Sequence, residues 1–222
     1  MNKSPEEYFA EQDFSVAARK TGGAAYSSAE RAFMDKYMGV EGGEVLREIG
    51  LTPELAAAAP PDAHPEMTSE VSLDSMLRSA PELLMVGFFL GSQEFVIPTV
   101  AVQEVIRSVP TAKLPAAPPF VSGVINLRGK VTPLIRLRDM LEVASPRQGD
   151  DNFIIVCRRM GLQVGMLIER VHTMYRVPQE DVDWGIEAHL GINVDFVAGL
   201  LKLNEQLVGI VSVDRVIESI VE

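Results

Sequence analysis

The stretch VSGVINLRGKVTPLIRL, residues 121–137, decides how the chain is read. Val121–Leu127 and Lys130–Leu137 are β-branched and aliphatic runs that flank Arg128-Gly129, the signature of two strands joined by a tight turn. Gly129 takes a positive φ at no steric cost, and Asn126 can cap the turn with its side chain. Working outward, the same pattern recurs three times. Leu84–Leu90 and Glu94–Ile97 flank Gly91-Ser92-Gln93, Phe153–Cys157 and Gln163–Ile168 flank Met160-Gly161, and Val197–Leu203 and Leu207–Val213 flank Asn204-Glu205-Gln206. The pieces after the hairpins (Thr99–Ile106, Arg136–Leu141, Glu169–Met174, Asp214–Ile220) mix polar and apolar residues and read as short helices or strand bends. Repeated hairpins without long intervening helices argue against a parallel α/β sheet. They predict an all-β protein of two small antiparallel barrels, closed to hide their edges.

Residues 1–80 differ in kind. They hold 7 basic and 14 acidic residues and are rich in Ala, Ser and Glu, against 13 and 17 in residues 81–222. Ser4-Pro5-Glu6-Glu7 and Ser27-Ser28-Ala29-Glu30 carry helix-start signals, and the second run extends through Met38 to stop at Gly39. Ala29, Ala32, Phe33 and Tyr37 share one face of that second helix. A helix this short is marginal alone in water, so Phe33 and Tyr37 are its expected docking anchors. Three readings stay open: docking on its own barrels, docking on another protein, or a disordered tail. The run from Ala59 to Pro65 holds three prolines and reads as a linker. The expected division is a helical and linker extension over 1–80, separable from a barrel unit over 81–222.

Composition sets limits on function. The 222 residues are 47% hydrophobic and 23% charged, with a formal net charge of −11, which disfavours binding to a phosphate backbone. No run of 18 apolar residues offers a transmembrane helix, and the first thirty residues show no export signal. With one cysteine, Cys157, the expected compartment is the cytoplasm. His64, His172 and His189 lie far apart, none with a partner at metal-ligand spacing. Cys157 sits in an apolar strand, and neither a phosphate loop nor a calcium loop is present. These features predict a module that binds proteins, with no enzymatic activity, cofactor or metal. The rival reading is a sensory barrel protein holding a small molecule in a groove between the barrels.

The segment from Pro115 to Ile135, with its Gly123-Val124-Ile125-Asn126-Leu127-Arg128-Gly129 core, resembles the CheW family of chemotaxis coupling proteins. So do Val102-Gln103-Glu104-Val105-Ile106-Arg107 upstream, Val164–Val171 downstream, and Phe196-Val197-Ala198-Gly199-Leu200 near the end. The four segments stand in the family's order and span roughly residues 83–222. The resemblance implies two five-stranded, SH3-like barrels. It also implies a non-catalytic adaptor joining the regulatory domain of a CheA-type histidine kinase to the cytoplasmic tips of chemoreceptors. Such a protein is recruited to membrane-associated receptor arrays without inserting into the membrane. The implied receptor-contact residues are Val102, Glu104, Asn126 and Arg128. Read without the family, Arg128 is a solvated charge at a turn tip, and Val102, Val105 and Ile106 are core. Two positions depart from the pattern: Arg136 stands where the family commonly has an aspartate, and Glu169 where it often has Asp. The long extension points to a specialised variant serving an array other than that of flagellar chemotaxis.

Overall fold

The structure, a computed structural model, describes residues 26–39, 42–51, 71–143, 151–185, 192–203 and 206–221. The expected helix start at Ser4, the proline run ending at Pro65, His64, His189 and the Asn204-Glu205 turn residues lie outside the described residues.

All four expected hairpins are hairpins. They are β1 (Glu82–Leu90) with β2 (Gln93–Pro98), β4 (Val121–Leu127) with β5 (Lys130–Arg136), β6 (Phe153–Arg159) with β7 (Leu162–Ile168), and β10 (Val197–Leu203) with β11 (Gln206–Val211). The pieces between them resolve differently from one another. Thr99–Ala101 is a single 3-10 turn leading into strand β3 (Val102–Arg107). Leu137–Met140 is one helical turn, and Val213–Val221 is a nine-residue helix. Arg170–Pro178 is a long strand, β8, followed through a 3-10 turn by the two-residue strand β9 (Val182–Asp183).

These strands form two sheets. The first has the order β8-β1-β2-β11-β10-β9, the second β3-β6-β7-β5-β4. Within the first, β8 and β9 are the two outermost strands, yet only Gln179–Asp181 separates them. They are two halves of one bent strand, so the sheet curls until its edges meet and five strands count as six. The second sheet closes by a similar device. Beyond β3, Ala112 forms a bridge to Val124 on the opposite edge, with Ala112 N–H donating to the Val124 carbonyl (3.0 Å) and Val124 N–H to the Ala112 carbonyl (2.8 Å). Gly123 makes this approach possible: its φ is +147°, and a Cβ there would collide with the Ala112 carbonyl oxygen. Most pairs are antiparallel, as expected, but β2 with β11 and β5 with β7 pair in parallel. The second barrel is an insertion in the first, since β1 and β2 precede it in sequence and β8 to β11 follow.

The inserted barrel carries its own interior. Ile125, Leu134, Ile154, Val156 and Leu167 form a buried cluster with Ile106 and Leu127 against it, so all five of its strands contribute. Gly165 lies among them with no room for a side chain, because a Cβ would strike Leu134 and Ile154. The opposite side chains of the same strands, including Ile155, Cys157, Val164 and Met166, join a larger core shared with the first barrel.

The extension is part of that larger core. Helix α1 (Ser28–Tyr37) starts at a capping box in which Ser27 Oγ accepts the Glu30 N–H at 3.0 Å and the Glu30 carboxylate accepts the Ser27 N–H at 2.7 Å. Ala29, Phe33 and Tyr37 are buried in it, and the two aromatic rings lie 5.2 Å apart. Helices α2 (Gly42–Glu48) and α3 (Leu73–Ser79) add Val45, Leu46, Leu73 and Leu77 to the same core. The Leu137–Met140 turn is α4 and the Val213–Val221 helix α5, whose Val213, Val216, Ile217 and Ile220 are buried.

Candidate functional site

The β4–β5 hairpin is joined by a two-residue turn. Leu127 pairs with Lys130, and both central residues have positive φ, +57° at Arg128 and +83° at Gly129. That is the φ signature of a type I′ turn, whose twist matches its strands. Asn126 Oδ1 accepts the Gly129 N–H at 2.8 Å, so the turn is fixed from within and Arg128 is held at its tip. The Arg128 side chain is 77% exposed, and its Nη2 donates at 2.9 Å to Oε2 of Glu104, whose side chain is 27% exposed. Glu104 belongs to β3 and Arg128 follows β4, at opposite edges of the sheet. The ion pair therefore bridges the seam where the inserted barrel closes.

Along β3 the expected strand geometry is modified by a bulge. Val102 pairs with Cys157 and Glu104 with Val156, leaving Gln103 as the extra residue. Cys157 belongs to the large shared core and Val156 to the barrel interior. Two residues spaced i, i+2 on a regular strand share a face. The bulge instead turns Val102 to the shared-core face and Glu104 to the interior face. The structure thus brings Glu104, Asn126 and Arg128 together at one rim and sets Val102 on the other face of the same strand. Val105 is exposed rather than core, while Ile106 packs on the barrel interior. Val100 (69% exposed) and Val109 flank the strand as further exposed apolar side chains. The residues of Val102–Arg107 do not alternate in polarity, so their order announces neither the strand nor the bulge.

Arg136, the departure in charge, has a local role. Its guanidinium donates to the Pro119 carbonyl at 3.3 Å and to Ser122 Oγ at 3.2 Å, and lies 3.9 Å from Asp139. Glu169 sits at the crossover from β7 to β8. Its Oε2 accepts from Arg138 Nη2 and from the Gly91 N–H, each at 3.1 Å, tying α4 of the inserted barrel to the β1–β2 turn of the first.

A cluster that the sequence reading missed lies on the first barrel. Glu94 Oε1 accepts the Tyr175 hydroxyl at 2.7 Å and lies 2.8 Å from His172 Nδ1. Gly87 opens the space for it, since a Cβ there would strike Tyr175. Burial, with the Glu94 carboxylate beside it, pushes the Tyr175 hydroxyl up to about 12. The residues come from β2 and β8, 78 or more positions apart, so no local motif announces them. Cys157 is fully buried, which pushes its thiol up to about 12 and leaves it a poor nucleophile. Among the described residues no group of three or more His, Cys, Asp or Glu could hold a metal ion, and no helix is long and apolar enough to cross a membrane.

Residues 84–221 match the family model of the CheW-like domain. The chain is similar to the chemotaxis protein CheW of Helicobacter pylori, 31% identical over 154 residues that cover 69% of this chain and 93% of that protein. It is also similar to the chemotaxis protein CheW of Rhizobium meliloti, 29% identical over 135 residues, 61% of this chain and 87% of that one. Among solved structures, the scaffolding protein TtCheW of Thermoanaerobacter tengcongensis superposes with a TM-score of 0.53 at 26% identity, covering 58% of this chain and 88% of the other.

Proposed function

The chain belongs to the CheW-like family, and from that premise we propose that it is a non-catalytic scaffold that couples chemoreceptor cytoplasmic tips to a CheA-type histidine kinase. The observation that carries this reading is Arg128, exposed at the tip of a turn fixed by two positive φ angles and by Asn126. A guanidinium held on a rigid turn loses little freedom when it binds a carboxylate or a row of carbonyls. Receptor tips are helical hairpins, and a charged rim next to exposed valines suits such a partner. In this reading Arg128, Glu104 and Asn126 supply the polar rim. Val102, reached from the other face of β3, supplies apolar contact with Val100 and Val105. The protein works from the cytoplasm at membrane-associated arrays and binds neither nucleic acid nor a cofactor.

Mixing the full chain with a receptor tip fragment and with the kinase regulatory domain tests the proposal by light scattering. A heavier species with each partner is expected. Independent monomers at high micromolar concentration with both would contradict it.

A further inference from the structure

The polar contacts of the extension fall on both barrels. We infer that helices α1–α3 form a clasp that holds the two barrels at one fixed angle, with Asp214 as its hub. Asp214 lies in the first turn of α5, three residues after the last strand of the first barrel, and is 2% exposed. Its Oδ1 accepts from Arg159 Nε at 3.0 Å, and Arg159 ends β6 of the inserted barrel. Its Oδ2 accepts the Leu73 N–H at the start of α3. Ser72, the residue before that helix, supplies no capping bond, so a carboxylate from the barrel side does so instead. One buried carboxylate thus joins three pieces of the molecule, and a buried charge that loses a partner is costly.

The remaining contacts follow the same plan. Arg159 Nη2 also donates to the Val71 carbonyl at 3.3 Å, and Ser212 Oγ donates to Asp74 Oδ2 at 2.9 Å. At the far end of α3, Gln179 Nε2 donates to the Arg78 carbonyl at 2.8 Å, and the Arg78 guanidinium lies 5.0 Å from the centre of the Trp184 ring. Both of those partners belong to the first barrel. Helix α1 reaches the inserted barrel, where Ser27 Oγ donates to the Gly161 carbonyl in the β6–β7 turn at 2.6 Å. The chain itself passes between the barrels at only two short crossovers, Thr99–Ala101 and Glu169. The barrels also share a buried core and the Glu169 bonds, and the clasp adds a third set of contacts that spans the seam from outside. The clasp is independent of the proposed partner site, which lies at the Arg128 rim.

Spin labels on the full chain at Lys113→Cys, in the inserted barrel, and Leu207→Cys, in the first, would read the angle as a distance distribution. Both sites are exposed, and the native Cys157 is buried and stays unlabelled. Releasing α3 by Asp74→Asn with Ser212→Ala should broaden the distribution at least twofold, and Asp214→Asn should broaden it further. A width equal to the parent's in the Asp74→Asn/Ser212→Ala protein overturns the inference, and so does a narrow distribution in Asp214→Asn.

Discussion

Arg128 Nη2 lies 2.9 Å from Glu104 Oε2, joining the β4–β5 turn tip to the strand at the opposite edge of the same sheet. An ion pair this exposed contributes at most about 1 kcal/mol to stability. Its larger effect is on orientation, because Glu104 selects one direction for a side chain with many. Alanine substitutions at the two positions should therefore not act independently on partner affinity. In a double-mutant cycle against a receptor tip fragment, the double variant should lose little more than the worse single variant. Strictly additive losses would show that Glu104 does not orient Arg128.

Two glycines separate conformational strain from collision. Gly129 has φ +83° with open space where a Cβ would stand, so Gly129→Ala costs only the left-handed backbone, about 1 kcal/mol. At Gly123 the Cβ would also meet the Ala112 carbonyl that closes the barrel, so Gly123→Ala should cost more than about 3 kcal/mol. Urea unfolding of both variants checks the order. Equal losses would mean the Ala112–Val124 bridge yields easily.

Phe33 is fully buried between the extension and the barrels. Phe33→Ala should cost about 3 to 5 kcal/mol, with a ceiling set by the docking free energy of α1. The separate expectation that residues 81–222 fold alone takes a definite form. That fragment should melt cooperatively but below the full chain, because it loses the packing of α1 and α3 on α5. Calorimetry on the three proteins checks both points, and a fragment melting with the parent would show that the helices add no stability.

Stability should fall on the alkaline side. Cys157 goes from an ordinary 9.0 to about 12 in the folded chain, and Tyr175 from 10.0 to about 12. Both groups hold their proton more tightly when folded. Their contribution is complete below about pH 9, then declines toward pH 12 as the unfolded chain ionises first. Urea midpoints at pH 8 and pH 10.5 should differ in that direction. A higher midpoint at pH 10.5 would contradict the burial of both groups.

The hairpins were legible because strand and turn signals are local: β-branched runs flanking Arg128-Gly129 or Met160-Gly161 need no knowledge of the rest of the chain. The α1 capping box was legible for the same reason. The bulge at Gln103 was not, since it depends on which β6 residues oppose β3, and neither were the parallel pairs β2 with β11 and β5 with β7. At the site, Asn126 and Arg128 could be read as a turn, but the partner of Arg128 stands 24 residues upstream. Asp214 stood in a run that read only as a short helix or strand bend; its bonds to Leu73 and Arg159 reach 141 and 55 residues back. Contacts closed by tertiary folding leave no spacing rule behind.

Calorimetric titration of a receptor tip fragment into the parent and the Arg128→Ala protein tests whether Arg128 is a preorganised contact for a receptor tip. The turn should persist, because the Gly129 φ and the Asn126 bond do not involve the guanidinium. Loss of a charge-assisted hydrogen bond costs about 1.5 to 3 kcal/mol, so affinity should fall roughly ten- to a hundredfold while the melting temperature barely moves. Unchanged affinity in a folded Arg128→Ala protein would show that Arg128 is not a receptor contact.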